Sequence, residues 1–229
     1  MSRPLNLKGS FVIPVYNGQA YLAEAVQSCL NQSLPGIEVI IVDDGSTDWT
    51  RKVALYLEEK DKRVHYTRFG RIGRSMARNA GIKLAKSDLI FVLDADDIAL
   101  PNRVADTLNY LKKNPTTEVV YGKFQLIDAL GNVGGLAEVG PFDIEKVRTT
   151  GFTYIGHSTM AFKRSVFEKV QYTDGPYSQN AIDDWRFQVD CYKAGFRFGA
   201  IPKILSQWRV SQKPRDEKTI AELKAACFQ

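Results

Sequence analysis

The chain has 229 residues, of which 44% are apolar and 25% are charged, a composition that argues against a disordered, collagen-like or coiled-coil protein. A chain of this length buries enough surface to fold without disulfides or a structural metal. The net charge of +5 and the pI near 9.0 suit anionic ligands such as phosphates, but they indicate no particular fold.

The cysteines and the apolar runs indicate the cellular setting. Cys29, Cys191 and Cys227 are an odd, scattered set with neither the pairing of a disulfide framework nor the spacing of a zinc site, which favours a reducing compartment. The first eight residues lack the apolar stretch of a signal peptide, and no window approaches the ~20 apolar residues that cross a bilayer. We therefore expect a cytoplasmic protein without a transmembrane span, whose contact with a membrane could only be peripheral, at its surface.

The first half of the chain alternates short apolar runs with segments of helical period. Strands are predicted at residues 11–15, 39–42 and 89–93, and helical faces at residues 22–30, 49–57, 77–85 and 104–111. Strands that are apolar throughout and alternate with helices indicate a mostly parallel sheet covered on both faces, so the fold class is predicted to be α/β. Ligands bind such sheets at the carboxyl ends of the strands.

The second half is less regular. Its predicted elements are a strand at residues 121–127, a glycine-rich turn or mobile loop at 131–140, a helix at 142–147, a strand at 158–162, a helix at 164–170, a loop at 172–180 and a helix at 185–192 that Gly195 caps. No internal repeat or linker interrupts this order. We predict one domain over residues 1–229, ending in a weakly amphipathic tail at 213–229.

Three carboxylates follow the strand at 89–93, in the turn Asp94-Ala95-Asp96-Asp97. A divalent cation held by one or two of these carboxylates and completed by phosphate oxygens suits such a group. The structural alternative is that Asp96 or Asp97 caps the helix near Pro101. Because three neighbouring carboxylates repel one another, a cap alone explains them poorly, and we favour the metal site.

A second acidic turn, Asp43-Asp44-Gly45-Ser46, follows the strand at 39–42. Ser46 is expected to be the N-cap of the next helix. This leaves Asp43 and Asp44 to accept hydrogen bonds from a nucleobase N–H group or from ribose hydroxyls.

Four arginines follow in one stretch: Arg68, Arg71, Arg74 and Arg78. Each on its own is as well explained by a solvated helix face, but together with the carboxylates they could neutralise a diphosphate. The intervening Gly70 and Gly73 fit neither a Walker loop nor a dinucleotide fingerprint.

Asp183 and Asp184 stand at the predicted start of the helix at 185–192. Favourable pairing with the helix dipole and a role as carboxylate general base explain them about equally well. His157, among polar neighbours, is a candidate substrate contact, although a lone histidine is more often structural.

Taken together, the motifs resemble family 2 glycosyltransferases from residue 11 to about residue 211. The chain carries Val12-Ile13-Pro14-Val15-Tyr16-Asn17-Gly18, Val42-Asp43-Asp44-Gly45-Ser46-Thr47-Asp48, Ala77-Arg78-Asn79-Ala80-Gly81, Leu93-Asp94-Ala95-Asp96-Asp97 and Asp183-Asp184-Trp185, in the order in which that family has its motifs. The resemblance implies a single domain of GT-A type, with a nucleotide-sugar-binding half at about 1–122 and an acceptor-binding half at about 123–212.

The resemblance also implies a reaction: inverting transfer of a sugar, most readily from a UDP-sugar, to a glycan or other hydroxyl acceptor, with no nucleic acid involved. It assigns the base to Asp184 beside Asp183, the metal (Mn²⁺ or Mg²⁺) to Asp96, and acceptor or sugar contacts to His157 and Trp185. The remaining donor-binding residues that it implies are Pro14, Tyr16, Asn17, Asp43, Asp44, Arg78, Asp94 and Ala95.

The sequence departs from the family pattern late in the chain, where Trp208-Arg209-Val210-Ser211 lacks the histidine that often helps to bind metal or diphosphate. The missing histidine keeps open the alternative of a non-catalytic module that binds nucleotide sugars. A second alternative is a transferase whose acceptor is a polyprenyl phosphate, which is already anionic and needs less of a base.

Overall fold

The computed structural model describes residues 7–150, 154–173 and 183–210. The strands are β1 (Gly9–Val15), β2 (Ile37–Asp44), β3 (Val64–Phe69), β4 (Leu89–Val92), β5 (Ile98–Ala99), β6 (Val119–Ile127), β7 (Val133–Ala137), β8 (Ala161–Lys163) and β9 (Phe198–Arg209). The helices are α1 (Leu22–Leu30), α2 (Thr50–Lys60), α3 (Arg74–Leu84), α4 (Arg103–Lys113), α5 (Ile144–Thr150), α6 (Arg164–Lys169) and α7 (Asp183–Lys193), with a 3₁₀ turn at His157–Thr159.

The strands form one mixed sheet in the order β3-β2-β1-β4-β8-β6-β9-β5, with β7 paired to β6. The strands β1 to β4 are mutually parallel, as the alternation of strands and helices predicts. From β8 onward the sheet is mixed: β8 is antiparallel to β4 and β6, whereas β9 is parallel to β6. The α/β class is confirmed, and the antiparallel strands enter with the second half of the chain.

Apolar side chains fill both faces of the sheet. On one face Phe11 and Ile13 of β1 pack with α1, α2 and α4. On the other face Val12, the intervening residue of β1, packs with α3, α6 and α7. Successive residues of a strand point to opposite faces, so a strand covered on both faces must be apolar throughout, which is the pattern seen in the sequence.

Two predictions for the second half were wrong. Residues 131–140, predicted as a loop, contain β7, which pairs antiparallel to β6. Glycines at 134 and 135 favour a turn by composition, but the backbone hydrogen bonds of β6 hold the segment extended. The strand predicted at 158–162 begins only at Ala161, because Thr159 Oγ1 donates to the Gly156 carbonyl at 2.7 Å and the preceding residues form the 3₁₀ turn.

The N-cap predicted at Ser46 was also wrong, whereas Gly195 follows the end of α7 with a left-handed φ of 85° and donates its N–H group to the Tyr192 carbonyl at 2.9 Å, as predicted for a C-cap. Helix α2 begins at Thr50, four residues after Ser46, and its first free N–H group donates to Asp48 Oδ1 at 2.9 Å. Asn102, and neither Asp96 nor Asp97, directly precedes α4.

The predicted tail at 213–229 and most of the predicted loop at 172–180 lie outside the described residues. Within the described ranges, none of the helices has the length and apolar character needed to cross a membrane.

Candidate active site

The carboxyl ends of β1, β2 and β4 lie side by side, because these strands are neighbours and parallel. The polar turns that follow them therefore share one edge of the sheet, as expected for ligand sites in α/β sheets. Two of these turns are joined directly. The Asn17 N–H group donates to Ser46 Oγ at 2.9 Å, and Asn17 Oδ1 accepts from the Thr47 N–H group at 2.9 Å. Asn17 has φ of 52°, a left-handed conformation that asparagine tolerates.

Asp43 is wholly buried at the end of β2. Its carboxylate accepts hydrogen bonds from the Ser46 N–H group at 2.7 Å and from the Tyr66 hydroxyl at 2.8 Å, and Arg68 Nε lies 3.3 Å away. Both carboxylate oxygens of Asp43 are therefore engaged by groups of the protein itself. The geometry therefore gives this residue a role in holding the turn.

Asp44 faces the loop that precedes α3. Its Oδ1 accepts from the N–H groups of Ile72 at 2.6 Å and Gly73 at 3.1 Å, and Arg71 Nη1 donates to its Oδ2 at 2.6 Å. The Arg71 guanidinium also lies 3.3 Å over the ring of the exposed Tyr16. Tyr16, Asp44 and Arg71 thus form a polar wall beside the end of β1.

Arg78 connects the two halves of the site. This fully buried arginine of α3 donates through Nη2 to Asp94 Oδ1 at 2.7 Å and through Nη1 to Asp183 Oδ2. Burial opposes its charge, but the two carboxylates outweigh burial and raise the pKa of Arg78. One guanidinium therefore joins the turn after β4 to the first residue of α7, which lies 105 positions after Arg78.

The three carboxylates after β4 have different environments. Burial acts to raise the pKa of Asp94, but Arg78 outweighs it and lowers that pKa to about 2. Asp96 is an exposed residue, yet its carboxyl lies beside Asp94, and loss of hydration together with repulsion from Asp94 raises its pKa to about 6. Asp97 is buried, its pKa is raised by burial and by both neighbours, and it accepts from the Arg209 N–H group at 2.9 Å.

Asp184 occupies the first turn of α7, beside the buried Asp183. Burial and repulsion from Asp183 raise the pKa of Asp184 to about 6, with Arg78 acting in the opposite direction. Its Oδ1 accepts from the Trp185 N–H group at 2.9 Å. A carboxylate with a pKa just below neutrality is ionised at pH 7 and still able to accept a proton.

His157 is buried in the 3₁₀ turn and faces this acidic cluster. Its Nε2 lies 3.2 Å from the Tyr172 hydroxyl, and its Nδ1 has no hydrogen-bond partner among the described residues. Burial and the nearby Arg78 lower the pKa of His157 well below its usual range, so the ring is neutral. A neutral imidazole offers one donor and one acceptor.

Most of the predicted site residues lie along this edge. The predicted residues here are Tyr16, Asn17, Asp43, Asp44, Arg78, Asp94, Ala95, Asp96, His157, Asp183, Asp184 and Trp185. Pro14 is set apart from them, since it is buried inside β1, one residue before the end of the strand.

Sequence reasoning missed three residues that support this edge. Tyr172 stacks on Phe187 with 4.1 Å between ring centroids and reaches His157 through its hydroxyl. Ser158 Oγ accepts from the Asp94 N–H group at 3.0 Å. The backbone N–H group of Arg209, at the end of β9, donates to Asp97 Oδ1 at 2.9 Å. All three are distant in sequence from their partners, so no local motif marks them.

The carboxylates can hold a divalent cation only if a bound molecule supplies the remaining oxygen ligands. Within residues 7–150, 154–173 and 183–210, no group of three or more His, Cys, Asp or Glu side chains is arranged to hold a metal ion alone. Asp94 and Asp97 are already paired with Arg78 and the Arg209 N–H group. Asp96, exposed and beside a second carboxylate, fits a Mg²⁺ or Mn²⁺ ion that takes its other ligands from phosphate oxygens.

Residues 10–171 match the family described as glycosyl transferase family 2. The chain belongs to this family. An uncharacterized glycosyltransferase of Methanocaldococcus jannaschii is 27% identical over 93% of this chain and 73% of its own length. One from Haemophilus influenzae is 38% identical over 54% of this chain, which corresponds to about half of that protein (49%).

Solved structures share the fold of this family 2 member. Staphylococcus aureus TarS 1-349 in complex with UDP-GlcNAc superposes with a TM-score of 0.72 at 18% identity, covering 91% of this chain and 60% of that chain. The mannosyltransferase PcManGT of Pyrobaculum calidifontis, in complex with GDP-Man and Mn²⁺, superposes with a TM-score of 0.67 at 19% identity, covering 93% and 59%. These similarities confirm the GT-A-like α/β fold.

Proposed function

We propose that this protein transfers a sugar from a nucleotide diphosphate sugar to an acceptor hydroxyl, with inversion at the anomeric carbon. The contact of Arg78 with both Asp94 and Asp183 carries the proposal, because it brings the acidic turn after β4 next to the helix that presents Asp184. A donor bound at the turn and a base on the helix can then act on one reacting carbon.

The donor nucleotide binds along the ends of β1, β2 and β4. The nucleobase lies against the wall formed by Tyr16, Asp44 and Arg71. The Asp94 carboxylate accepts hydrogen bonds from the ribose hydroxyls. Two fold neighbours were solved with UDP-GlcNAc and with GDP-Man, which supports a nucleotide sugar. We favour a UDP-sugar because TarS has the higher TM-score of the two.

Asp96 would hold Mn²⁺ or Mg²⁺ together with the diphosphate. Asp94 and Asp97 are paired within the protein, whereas Asp96 is exposed to solvent. Bound there, the cation would neutralise charge on the leaving diphosphate.

Asp184 acts as the general base. Its carboxylate takes the proton from the acceptor hydroxyl while the oxygen attacks the anomeric carbon. The new bond between carbon and oxygen forms as the bond from that carbon to the diphosphate oxygen breaks, and the nucleoside diphosphate leaves with the electron pair. Attack from the face opposite the leaving group inverts the anomer.

The residues around Asp184 orient the reaction. Asp183, paired with Arg78, fixes the start of α7, and its buried position suits this role better than proton transfer. His157 and Trp185 contact the sugar or the acceptor, and the acceptor side is formed by the half of the chain at about 123–212.

Calorimetry with UDP, GDP and dTDP, each with and without Mn²⁺, tests the donor site. We expect metal-dependent binding of one nucleotide by the native protein and its loss in Asp96→Asn. Absence of binding by all three nucleotides would contradict the proposal.

Turnover of nucleotide sugars with an acceptor panel tests the base. Asp184→Asn should lower kcat by about 10²-fold or more and leave nucleotide binding intact. Asp190→Asn is the matched control, because Asp190 lies on the same helix and pairs with Arg186 at 2.7 Å. An α-linked donor should give a β-linked product by NMR. A retained anomer would rule out direct displacement, and a small effect of Asp184→Asn would favour an acceptor that is already anionic.

A further inference from the structure

Arg209 is a buried arginine at the end of the last described strand, β9. The residue is 5% exposed, and every nitrogen of its guanidinium donates a hydrogen bond. In the sequence it belongs to Trp208-Arg209-Val210-Ser211, the segment that lacks the late histidine of the family pattern. Its position beside the acidic turn nevertheless sets it apart from an ordinary core residue.

Two hydrogen bonds connect Arg209 to the acidic turn itself. Its Nε donates to the Asp96 carbonyl at 2.9 Å, and its backbone N–H group donates to Asp97 Oδ1 at 2.9 Å. The Arg209 charge also acts on the Asp96 carboxyl, but the hydrogen bond of the side chain holds the main chain from which that carboxyl projects.

The rest of the guanidinium is fixed from two other directions. Nη1 donates to the carbonyls of Asp128 at 2.9 Å and Ala129 at 3.3 Å, at the turn after β6. Nη2 donates to Glu24 Oε2 of α1 at 2.6 Å, and the guanidinium lies 4.4 Å over the ring of Tyr21. Two segments distant in sequence, residues 21–24 and 128–129, thus meet the acidic turn through one planar group.

We propose that Arg209 is a positioning residue that orients Asp96 for the metal and the diphosphate, an inference that rests on the proposed function. The Arg209 side chain holds the backbone carbonyl of Asp96, and the Arg209 backbone N–H group holds the carboxylate of the next residue, Asp97. These two restraints fix the backbone from which the Asp96 carboxylate projects, and so fix where that carboxylate can meet a cation. Hydrogen bonds that orient metal ligands typically contribute 10- to 100-fold to metal affinity.

Arg164 provides a matched control. Its guanidinium donates to the carbonyls of Ile82, Ala85 and Ser87 at 3.1, 2.6 and 2.6 Å, remote from the acidic turn. Lysine at either position keeps the charge but loses the planar fork. Both Arg209→Lys and Arg164→Lys should therefore lower the melting temperature, so thermal stability alone does not separate the two roles.

The first readout is Mn²⁺-dependent binding of UDP, GDP and dTDP by calorimetry. Arg209→Lys should weaken the metal-dependent part of nucleotide binding by about 10- to 100-fold, whereas Arg164→Lys should leave it unchanged. Equal affinities in native protein and Arg209→Lys, or equal losses in both variants, would overturn the proposal. If Arg209→Lys does not fold, Glu24→Gln replaces it in this test, because it weakens the ion pair with Arg209 at a side chain that is 52% exposed. It should cause a smaller loss of metal-dependent nucleotide binding.

The second readout is hydrogen–deuterium exchange of the ligand-free proteins. Arg209→Lys should speed exchange in residues 94–99 and 128–131, and Arg164→Lys should speed it near residues 82–88. If the native protein binds no nucleotide, the proposed function fails, and this measurement still decides whether Arg209 restrains the turn. Unchanged exchange in residues 94–99 of a folded Arg209→Lys would show that it does not.

Discussion

Replacement of Arg78 by methionine tests the connection between the two halves of the site. The change keeps much of the buried volume but removes the charge that pairs Asp94 with Asp183, whose side chain is 0% exposed. Removing one partner of a buried ion pair costs about 3–5 kcal/mol, because the remaining charge is left without compensation. For a domain of this size that corresponds to a fall in melting temperature of about 6–20 °C.

Arg103→Met is the matched control. Arg103 is also fully buried, but it donates to the carbonyls of Val92 at 2.9 Å and Met160 at 3.0 Å. Its loss leaves neutral acceptors unpaired, which costs about 1–3 kcal/mol. Urea denaturation of the variants should therefore rank Arg78→Met as the less stable of the two.

The pH dependence and the double variant sharpen the test. Arg78 lowers the pKa of Asp94 to about 2, so this pairing stabilises the fold above the unfolded value of 3.8 and is lost as the pH falls toward 2. The difference between native protein and Arg78→Met should shrink below pH 4. Adding Asp183→Asn should recover part of the loss. A pH-independent difference, or additive effects of the two substitutions, would refute the argument.

Three further outcomes are expected. The kcat/KM of the native protein should fall about tenfold per pH unit below pH 6, because the base Asp184 has a pKa of about 6 and protonation removes it. Gly81→Ala should lower the free energy of unfolding by about 1–3 kcal/mol in urea denaturation, because the added Cβ would lie 2.5 Å from Val12 of β1 and 2.8 Å from Val42 of β2. Gly140→Ala is the control: its added Cβ meets open space, so it should change the free energy of unfolding by less than about 0.5 kcal/mol. Arg71→Ala should weaken nucleotide binding about tenfold or more in calorimetry, because it removes a charged hydrogen bond to Asp44.

Each of these has a clear contrary result. A rate that stays level down to pH 5 would remove Asp184 as the base. Equal stability of the two glycine variants would mean that helix α3 does not pack against the sheet at Gly81 as described. Unchanged affinity in Arg71→Ala would place the nucleobase away from this wall.

The sequence was sufficient to predict the first half of the fold. Residues such as Phe11, Val12 and Ile13 are all apolar because the two faces of a parallel sheet are both covered, and this pattern is local. The site edge followed from it, since Asp44 and Asp94 come at the carboxyl ends of the two parallel strands that flank β1.

Contacts between distant residues could not be predicted in the same way. Arg78 meets Asp183 across 105 positions and Arg209 meets Asp97 across 112, so no short window contains both partners. Arg103 begins α4 with the appearance of a solvated helix residue but is fully buried against Phe11 and backbone carbonyls. Strand β7 was missed because its hydrogen bonds with β6, and not its side chains, determine its conformation.

The pairing of β5 with β9 has a consequence for the order in which the protein is made. Ile98 and Ala99, directly after the acidic turn, pair with Gln207 and Ser206. The ribosome must therefore add more than 100 residues before this short strand meets its partner, which takes roughly 5–20 s at about 5–20 residues per second. The nascent chain can assemble β1 to β4 during that interval, but the turn that carries Asp96 acquires its final support only near the end of the described chain.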